Sequence, residues 1–239
     1  MIKHFITLIL ICVAPMVFAQ NSKVGTWGIA TLVLPGDSSH KWGGYTELQV
    51  RTNTVFSQFM YDEVKAGISY DIDKDFTVLL GTGRYTTYDY QNVGAGPTIT
   101  ETRLWEQVTT NQFLYRLKLE HRYRVEQRWV NSAYRNRFRY RLNVFVPFNN
   151  TKIVAKTWFL SVFDEVFLNN QTPNFERNRV SAALGYQFDK SWIVQAGWIN
   201  QYNYTPDASN NKNNLMLMLM YRIQRKNAVQ REHLPTTSD

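Results

Sequence analysis

Arginine is the residue with the most evident chemistry in this sequence, and its distribution is uneven. Eight of the sixteen arginines lie between Arg116 and Arg141, and the same stretch contains Glu120 and Glu126. A planar guanidinium group forms bidentate pairs with carboxylates and also binds other oxyanions. The stretch therefore predicts either an internal Arg/Glu ion-pair network or a positively charged path for anions.

The elements that carry these arginines are identified by their alternation. Residues 113–129 and 134–147 alternate charged with large apolar side chains, and Asn131-Ser132-Ala133 forms a predicted turn between them. A period of two places successive side chains on opposite faces of a strand. At about 3.3 Å per residue the seventeen residues of the first stretch would reach roughly 55 Å, whereas soluble strands usually have about five or six residues. The pattern predicts a hairpin of a membrane-spanning β-barrel.

The two faces of this hairpin have predictable directions in such a barrel. An arginine on the lipid-facing side near the midplane costs about 2 to 4 kcal/mol, so the charged face is expected inside. The predicted interior charge network, whether structural or an anion path, comprises Arg116, Glu120, Arg122, Arg124, Glu126, Arg128, Arg135, Arg137, Arg139, Arg141, Glu165, Arg177 and Arg179. Glu47 and Glu63 are expected on the same side, but the adjacent Asp164 and Glu165 leave the facing of their strand open.

The fold class predicted is all-β, a single transmembrane up-and-down antiparallel β-barrel of about ten to twelve strands. Candidate strands are residues 24–34, 42–51, 58–71, 76–88, 102–110, 113–129, 134–147, 153–168, 177–188, 192–204 and 214–224. Bacterial single-chain barrels normally have an even number of strands, so ten or twelve is expected rather than this count of eleven. Connections at 71–75, 148–151 and 189–191 are predicted to be tight periplasmic turns, and those at 91–99, 169–174 and 205–213 to be longer outward loops.

The two ends of the chain predict export and a tail. Residues 1–19 combine a short basic start, an apolar stretch and the small-x-small sequence Val17-Phe18-Ala19, as in a signal peptide cleaved after Ala19. The barrel is predicted over residues 20–225, and residues 226–239 form a polar tail that is expected to be disordered. The only cysteine, Cys12, lies in the signal, so the mature chain would have no thiol chemistry.

Catalytic and metal-binding patterns are weak. His121 lies in a well-patterned strand but is predicted to face outward, whereas Ser181 faces inward and so could not be its partner. Glu120 and Glu126 are roughly 20 Å apart along one strand, too far for a glycosidase pair within that strand. We expect no cofactor, no metal and no nucleic-acid partner, and lipid together with the barrel assembly machinery as the partners.

Four runs carry a resemblance to a known family: LEHRYRVEQRW, NRFRYRLNVFVP, DEVFLN and NRVSAALGYQF, in that order. They resemble the export-signal-bearing barrel family catalogued as domain of unknown function 2490, and the similarity is strongest from Arg103 to Gln201. The resemblance implies an outer-membrane barrel and implies no activity. Val24 to Arg51 and the non-aromatic C-terminal tail depart from the family pattern.

The function expected is therefore that of a non-enzymatic outer-membrane barrel with a lumen packed by Arg/Glu ion pairs. A second hypothesis is a narrow anion-selective or anion-binding channel, because arginine exceeds glutamate on the charged face. A third is a lipid-modifying outer-membrane enzyme. A fourth is a soluble periplasmic barrel, turned inside out, that binds an apolar ligand.

Overall fold

The computed structural model describes residues 23–37 and 39–225, which form one closed β-barrel of eleven strands. The strands are β1 (Gly25–Leu34), β2 (Trp42–Thr54), β3 (Ser57–Asp71), β4 (Phe76–Tyr88), β5 (Pro97–Leu114), β6 (Leu117–Val130), β7 (Ala133–Pro147), β8 (Thr157–Asn169), β9 (Phe175–Gln187), β10 (Trp192–Asn203) and β11 (Asn210–Arg222). A 3-10 turn at Val93–Ala95 lies in the β4–β5 connection. No helix within the described ranges has the length and apolar character needed to cross a membrane. The predicted signal peptide and C-terminal tail lie outside the described residues.

The barrel closes between its first and last strands. β1 pairs with β11 in parallel, from Gly25 with Asn214 to Val33 with Arg222, while every other neighbouring pair of strands is antiparallel. The expectation of an even strand number was wrong, and so was that of a wholly antiparallel barrel. An odd number of up-and-down strands makes the first and last run in the same direction, so the closing ladder must be parallel.

The pairing register shows how strongly the strands are tilted. The stagger is found by starting at Ile29 and following each residue to its paired residue on the next strand. This path reaches Ala133 on β7 around one side of the barrel and Pro147 on β7 around the other side. These two end points lie fourteen residues apart on β7. A stagger of this size goes with the strand tilt of roughly 35–45° that closed barrels require.

Strand boundaries differ from the sequence prediction mainly around β5 and β6. Phe113 and Leu114 end β5, and a two-residue turn at Tyr115 and Arg116 separates them from β6. The prediction of one unbroken strand from 113 to 129 was therefore wrong. The alternation of side chains gave no sign of the turn, because it continues through the residues at which the chain reverses direction. The turn at Asn131 and Ser132 is confirmed, with positive φ at both residues as in a type I′ hairpin.

Two edges of the barrel are distinguished below. The N-terminal edge is where β1 begins, and the C-terminal edge is where β11 ends. The N-terminal edge carries the connections at 55–56, 89–96, 131–132, 170–174 and 204–209. The C-terminal edge carries those at 35–41, 72–75, 115–116, 148–156 and 188–191.

The predicted tight turns and the predicted longer loops lie at opposite edges of the barrel, but the length of a connection does not by itself determine its edge. The three connections predicted as outward loops all lie at the N-terminal edge, and the three predicted as tight turns all lie at the C-terminal edge. Two-residue turns at 55–56 and 131–132 share the edge of the long loops, however. The connection at 148–156 is also longer than the tight turn predicted there, because β8 begins only at Thr157.

Alternation gives the barrel an apolar outer wall and a polar interior. Exposed apolar side chains of the outer wall include Leu48, Val50, Val64, Ile68, Leu80, Leu104, Phe138, Leu168, Leu184 and Leu219. Glu165 is buried in the interior while the preceding Asp164 is exposed outside, which settles the facing of β8. The inside-out arrangement that a soluble barrel would need is the reverse of this one.

An apolar cluster fills the interior near the C-terminal edge. Its members close to that edge are Val33, Tyr45, Phe145, Phe159, Ile193 and Met220, and Tyr85 and Trp105 join them from further along their strands. Trp105, Phe145 and Phe159 have no exposed surface. Each side chain comes from a different strand, so the cluster exists only because the barrel is closed.

Candidate functional site

The predicted arginines and glutamates meet in the interior around two carboxylates, Glu126 on β6 and Glu165 on β8. Glu126 accepts ion-pair contacts from Arg137 at 2.5 Å and Arg139 at 2.6 Å. Arg139 also reaches Glu165 at 2.8 Å, so it joins the two carboxylates. Register explains these contacts, because Arg137 is paired directly with Glu126 and Arg139 is the diagonal neighbour of both glutamates.

Glu165, like Glu126, is shared among three arginines. Arg122 lies 2.6 Å from its Oε1 atom and Arg141 2.7 Å from its Oε2 atom, in addition to Arg139. The side chain of Glu165 has a relative exposure of 0 %, and those of Arg122 and Arg141 have 1 %. Three guanidinium groups therefore share one carboxylate that is shielded from solvent.

The network continues to the N-terminal edge through Glu101 and Glu176. Glu101 is paired with Arg103 at 2.7 Å and with Arg128, and Glu176 is paired with Arg128 at 3.1 Å and Arg137 at 2.9 Å. Sequence reasoning missed Glu101, Arg103 and Glu176. Glu101 lies just outside the predicted strand 102–110, whereas Arg103 lies inside it, and their spacing of two residues was a usable signal of a shared face.

A smaller ion-pair group lies on β2 and β3. Lys65 contacts Glu47 at 2.5 Å and Glu63 at 2.7 Å, and Thr31 donates a hydrogen bond to Glu47 at 3.0 Å. Arg51 reaches Glu63 at 3.4 Å. The inward facing of both glutamates is as predicted, whereas Lys65 and Arg51 were not identified from the sequence.

The remaining predicted residues have individual positions. Arg124 donates to Gln107 at 2.7 Å, and Glu120 accepts from Lys118 at 3.1 Å. The half-buried Arg135 lies near the beginning of β7. Arg116 lies in the β5–β6 turn, where it donates to a backbone carbonyl oxygen of the 148–156 connection at 3.1 Å, so its placement on a strand was wrong.

Phe167 is the aromatic centre of the network. Four guanidinium groups surround its ring, with centroid distances of 4.5 Å for Arg139, 4.8 Å for Arg179, 5.2 Å for Arg137 and 5.6 Å for Arg177. The ring has 0 % exposure. Ring faces attract cations, more strongly when water is absent, so Phe167 stabilises arginines that carboxylates alone do not neutralise.

The candidate catalytic histidine lies on the outer wall, as predicted. His121 Nδ1 is 2.9 Å from the hydroxyl of Tyr140, and the two rings stack with centroids 6.2 Å apart. Ser161 and Ser181 are buried on the interior side, with hydrogen bonds to Asn143 and to a backbone carbonyl oxygen of β10. Neither serine shares a face with His121. Within the described ranges no three His, Cys, Asp or Glu side chains cluster closely enough to hold a metal ion.

An apolar groove of about 730 Å³ runs along the outer wall across the β1–β11 seam. Its wall includes the outward side chains Leu48, Val50, Leu184 and Leu217 and the small residue Ala30. The groove is outside the barrel, so it is not the enclosed cavity that a soluble barrel would offer to an apolar ligand.

These observations define the chain as a closed β-barrel with an apolar outer wall and an ion-paired interior. The family model described as "Protein of unknown function (DUF2490)" matches residues 24–214, and the chain belongs to that family. The resemblance carried by the four sequence runs is thereby confirmed.

Among solved structures, the chain is similar to LpxR from Salmonella typhimurium. The TM-score is 0.41 and the identity 9%, over 76% of this chain and 83% of the LpxR chain. A similarity of that size supports no statement about this chain. No curated protein matches the sequence.

Proposed function

We propose that the protein is an outer-membrane β-barrel whose interior is a closed ion-pair core, without a passage for solutes. The single observation that carries the proposal is that the central interior charges are shielded from water. Glu47, Lys65, Glu126 and Glu165 have 0 % exposure. Charged groups lining an aqueous pore would keep part of their surface in contact with water.

The outer wall supports the membrane location. Membrane barrels present an apolar band to lipid, with aromatic girdles at both interfaces. Here paired aromatic rings lie near strand ends, as in Trp42 with Tyr70 and Trp192 with Tyr221 near the C-terminal edge. A third pair, formed by the aromatic rings at positions 129 and 134, lies at the opposite edge. Lipid is then the partner of the outer wall, and the barrel assembly machinery the partner during biogenesis.

The packing of the interior argues against the anion channel. Excess arginine would favour anions in an open lumen, but these arginines fill the lumen themselves. Near the C-terminal edge the apolar cluster adds a second obstruction, because Phe145 and Phe159 fill the interior with their rings 6.1 Å apart. An ion would have to displace both layers to cross.

A structural, non-enzymatic role is the remaining part of the proposal. It is supported by the separation of His121 from both interior serines and by the involvement of the buried carboxylates in several ion pairs each. A general acid or base needs to reach a substrate, and Glu126 and Glu165 have no exposed surface.

Planar-bilayer recording tests the proposal. The full chain, folded in detergent and inserted into a bilayer, is expected to give no stepwise conductance above that of detergent alone. Anion-selective steps would overturn the closed-core proposal in favour of the channel. A protein lacking conductance must also be shown to be folded, by the shift in gel mobility between heated and unheated samples.

A further inference from the structure

A polar cavity of about 420 Å³ lies at the N-terminal edge, between β1, β2, β3, β10 and β11. Three cations line it, Lys23, Arg51 and Lys212, and no aspartate or glutamate is among its described lining residues. Most of the other polar lining residues are side-chain amides, including Gln201 and Asn203. The cavity therefore combines positive charge with donors and acceptors of neutral hydrogen bonds.

Two more cations lie directly behind the amides. Arg179 donates from Nε to Oε1 of Gln201 at 2.9 Å, and Arg177 donates from Nε to Oδ1 of Asn203 at 2.6 Å. Arg179 has 3 % exposure, and its Nη1 atom is buried without a hydrogen-bond partner in the described residues. The positive charge of the cavity thus extends into the barrel.

A shared tryptophan holds two of these cations together. The guanidinium carbon of Arg51 lies 3.7 Å from the ring centroid of Trp27, and that of Arg179 lies 4.9 Å from the same centroid. Trp27 has 3 % exposure and lines the cavity. Two like charges on one buried ring repel each other, and an anion in the cavity would relieve that repulsion.

Local carboxylates supply little compensation. Glu63 is 3.4 Å from Arg51, a long contact, and its other oxygen lies 2.7 Å from Lys65. Glu126 and Glu165 are each paired with at least two arginines deeper in the barrel. The cavity consequently has an excess of positive charge beside amide groups.

We propose that this cavity binds an oxyanion of the phosphate class carried on a hydroxyl-rich group, such as a sugar phosphate or the head group of a glycerophospholipid. Lysine and arginine side chains are common ligands of phosphate oxygens. Side-chain amides pair with hydroxyl groups, and a volume of about 420 Å³ falls in the usual range of roughly 300–1,000 Å³ for small-molecule sites. This inference goes beyond the closed-core proposal and needs only the barrel fold.

Isothermal titration calorimetry of the full chain folded in detergent tests the site. Glucose 1-phosphate is the soluble probe and glucose its uncharged control. Dihexanoyl phosphatidylglycerol, added below the concentration at which it forms micelles and compared with dihexanoyl phosphatidylcholine, is the lipid-borne probe in the same titration. Binding of glucose 1-phosphate assigns a soluble ligand, and binding of phosphatidylglycerol alone assigns a lipid head group. Binding of neither probe would overturn the proposal.

Asn53→Asp is the discriminating variant. Lys212 donates from Nζ to Oδ1 of Asn53, so a carboxylate at that position would neutralise the lysine with almost no change in volume. The probe is expected to bind about tenfold or more weakly, because a lysine neutralised by the new carboxylate attracts the anion less; tenfold corresponds to about 1.4 kcal/mol. Asn92→Asp, on an exposed connection of the same edge, is the matched control and should bind as the unchanged protein does.

Equal affinity in Asn53→Asp and the unchanged protein would place the ligand elsewhere and overturn the assignment. If that variant fails to fold, Lys212→Gln removes the same charge and Lys41→Gln, at the C-terminal edge, is its control. Bilayer conductance does not enter this test. A barrel that conducts and binds the probe would therefore refute the closed core and keep the site. A barrel that does not conduct and binds no probe would refute the site and keep the closed core.

Discussion

The two halves of the barrel interior exclude water by opposite means. Near the C-terminal edge the space is filled by aromatic and aliphatic side chains such as Phe145, Phe159 and Ile193. Towards the N-terminal edge the side lined by β5 to β9 is filled by arginines that are held on a few carboxylates, chiefly Glu126 and Glu165, beside a second apolar cluster on the β1 and β11 side. Both regions bury their central side chains, but the forces that maintain them differ.

This difference predicts different responses to mutation. In the apolar cluster no contact depends on one particular partner, so a lost side chain costs its own burial and the cavity that it leaves. In the ion-pair network one carboxylate serves several cations, and removing it takes an ion-pair partner from each of these buried cations at once. The network should therefore be vulnerable at its few acids and the cluster at its tightest contacts.

Glu165→Ala is expected to have the largest effect on stability. It would leave Arg122, Arg139 and Arg141 without their common partner, and breaking a buried ion pair costs about 3–5 kcal/mol. The free energy of unfolding, measured by urea titration of the barrel in detergent, should fall by about that amount. Glu165→Gln should lie between Glu165→Ala and the unchanged protein, because its amide oxygen still accepts a hydrogen bond.

The adjacent carboxylate gives a matched control for that variant. Asp164 is exposed on the outer wall and accepts a hydrogen bond from Asn178 at 2.6 Å. On the outer wall, which the proposed function places in lipid, a charge is unfavourable, so Asp164→Ala should be neutral or slightly stabilising. Similar losses of stability in Asp164→Ala and Glu165→Ala would contradict the assignment of the two faces.

Gly185→Ala tests the apolar half and should have an intermediate effect. Gly185 is paired with Phe159 across β8 and β9, and a Cβ atom built on it would overlap the Phe159 ring. Phe159 has 0 % exposure, so its ring has little space into which it could move. Overpacking of this kind costs about 1–3 kcal/mol, to be measured by the same titration.

Gly94→Ala is the control for the glycine variant. A Cβ atom on Gly94 would meet nothing within 4 Å, so its unfolding curve should match that of the unchanged protein. If Gly185→Ala were as stable as Gly94→Ala, the ring of Phe159 would not be confined by the barrel. The apolar half would then be loosely packed, and the contrast with the ion-pair network would have to be abandoned.

The two halves also differ in how far the sequence predicts them. The network is visible because Arg137, Arg139 and Arg141 repeat every second residue on one strand, which reports a shared face directly. The apolar cluster was not identified, since each of its side chains comes from a different strand and only the pairing register brings them together.

Two features of the network could not be predicted from alternation within a strand. Alternation could not choose between Glu165 and Asp164 for the interior, because it fixes only the relative facing of residues within a strand. Glu176 was missed because it lies next to the predicted strand start, where alternation has not yet begun, yet it reaches Arg128 and Arg137 from β9. Contacts between strands distant in sequence are beyond any pattern within a strand.

His121→Ala is expected to have the smallest effect, because the residue belongs to neither half of the interior. It would remove one hydrogen bond with the hydroxyl of Tyr140 on the outer wall, worth about 0.5–1.5 kcal/mol. Any lipid-modifying activity of the expressing cells should stay unchanged, as measured by mass spectrometry of their outer-membrane lipids.

Tyr140→Phe is the control that separates loss of this hydrogen bond from loss of the imidazole ring. It removes the hydroxyl that contacts His121 Nδ1 while keeping the histidine itself. Acyl chains altered by the unchanged protein and by Tyr140→Phe, but not by His121→Ala, would make His121 a catalytic group. The function of the barrel would then lie on its outer wall, and the two-part interior would serve only to hold that wall in place.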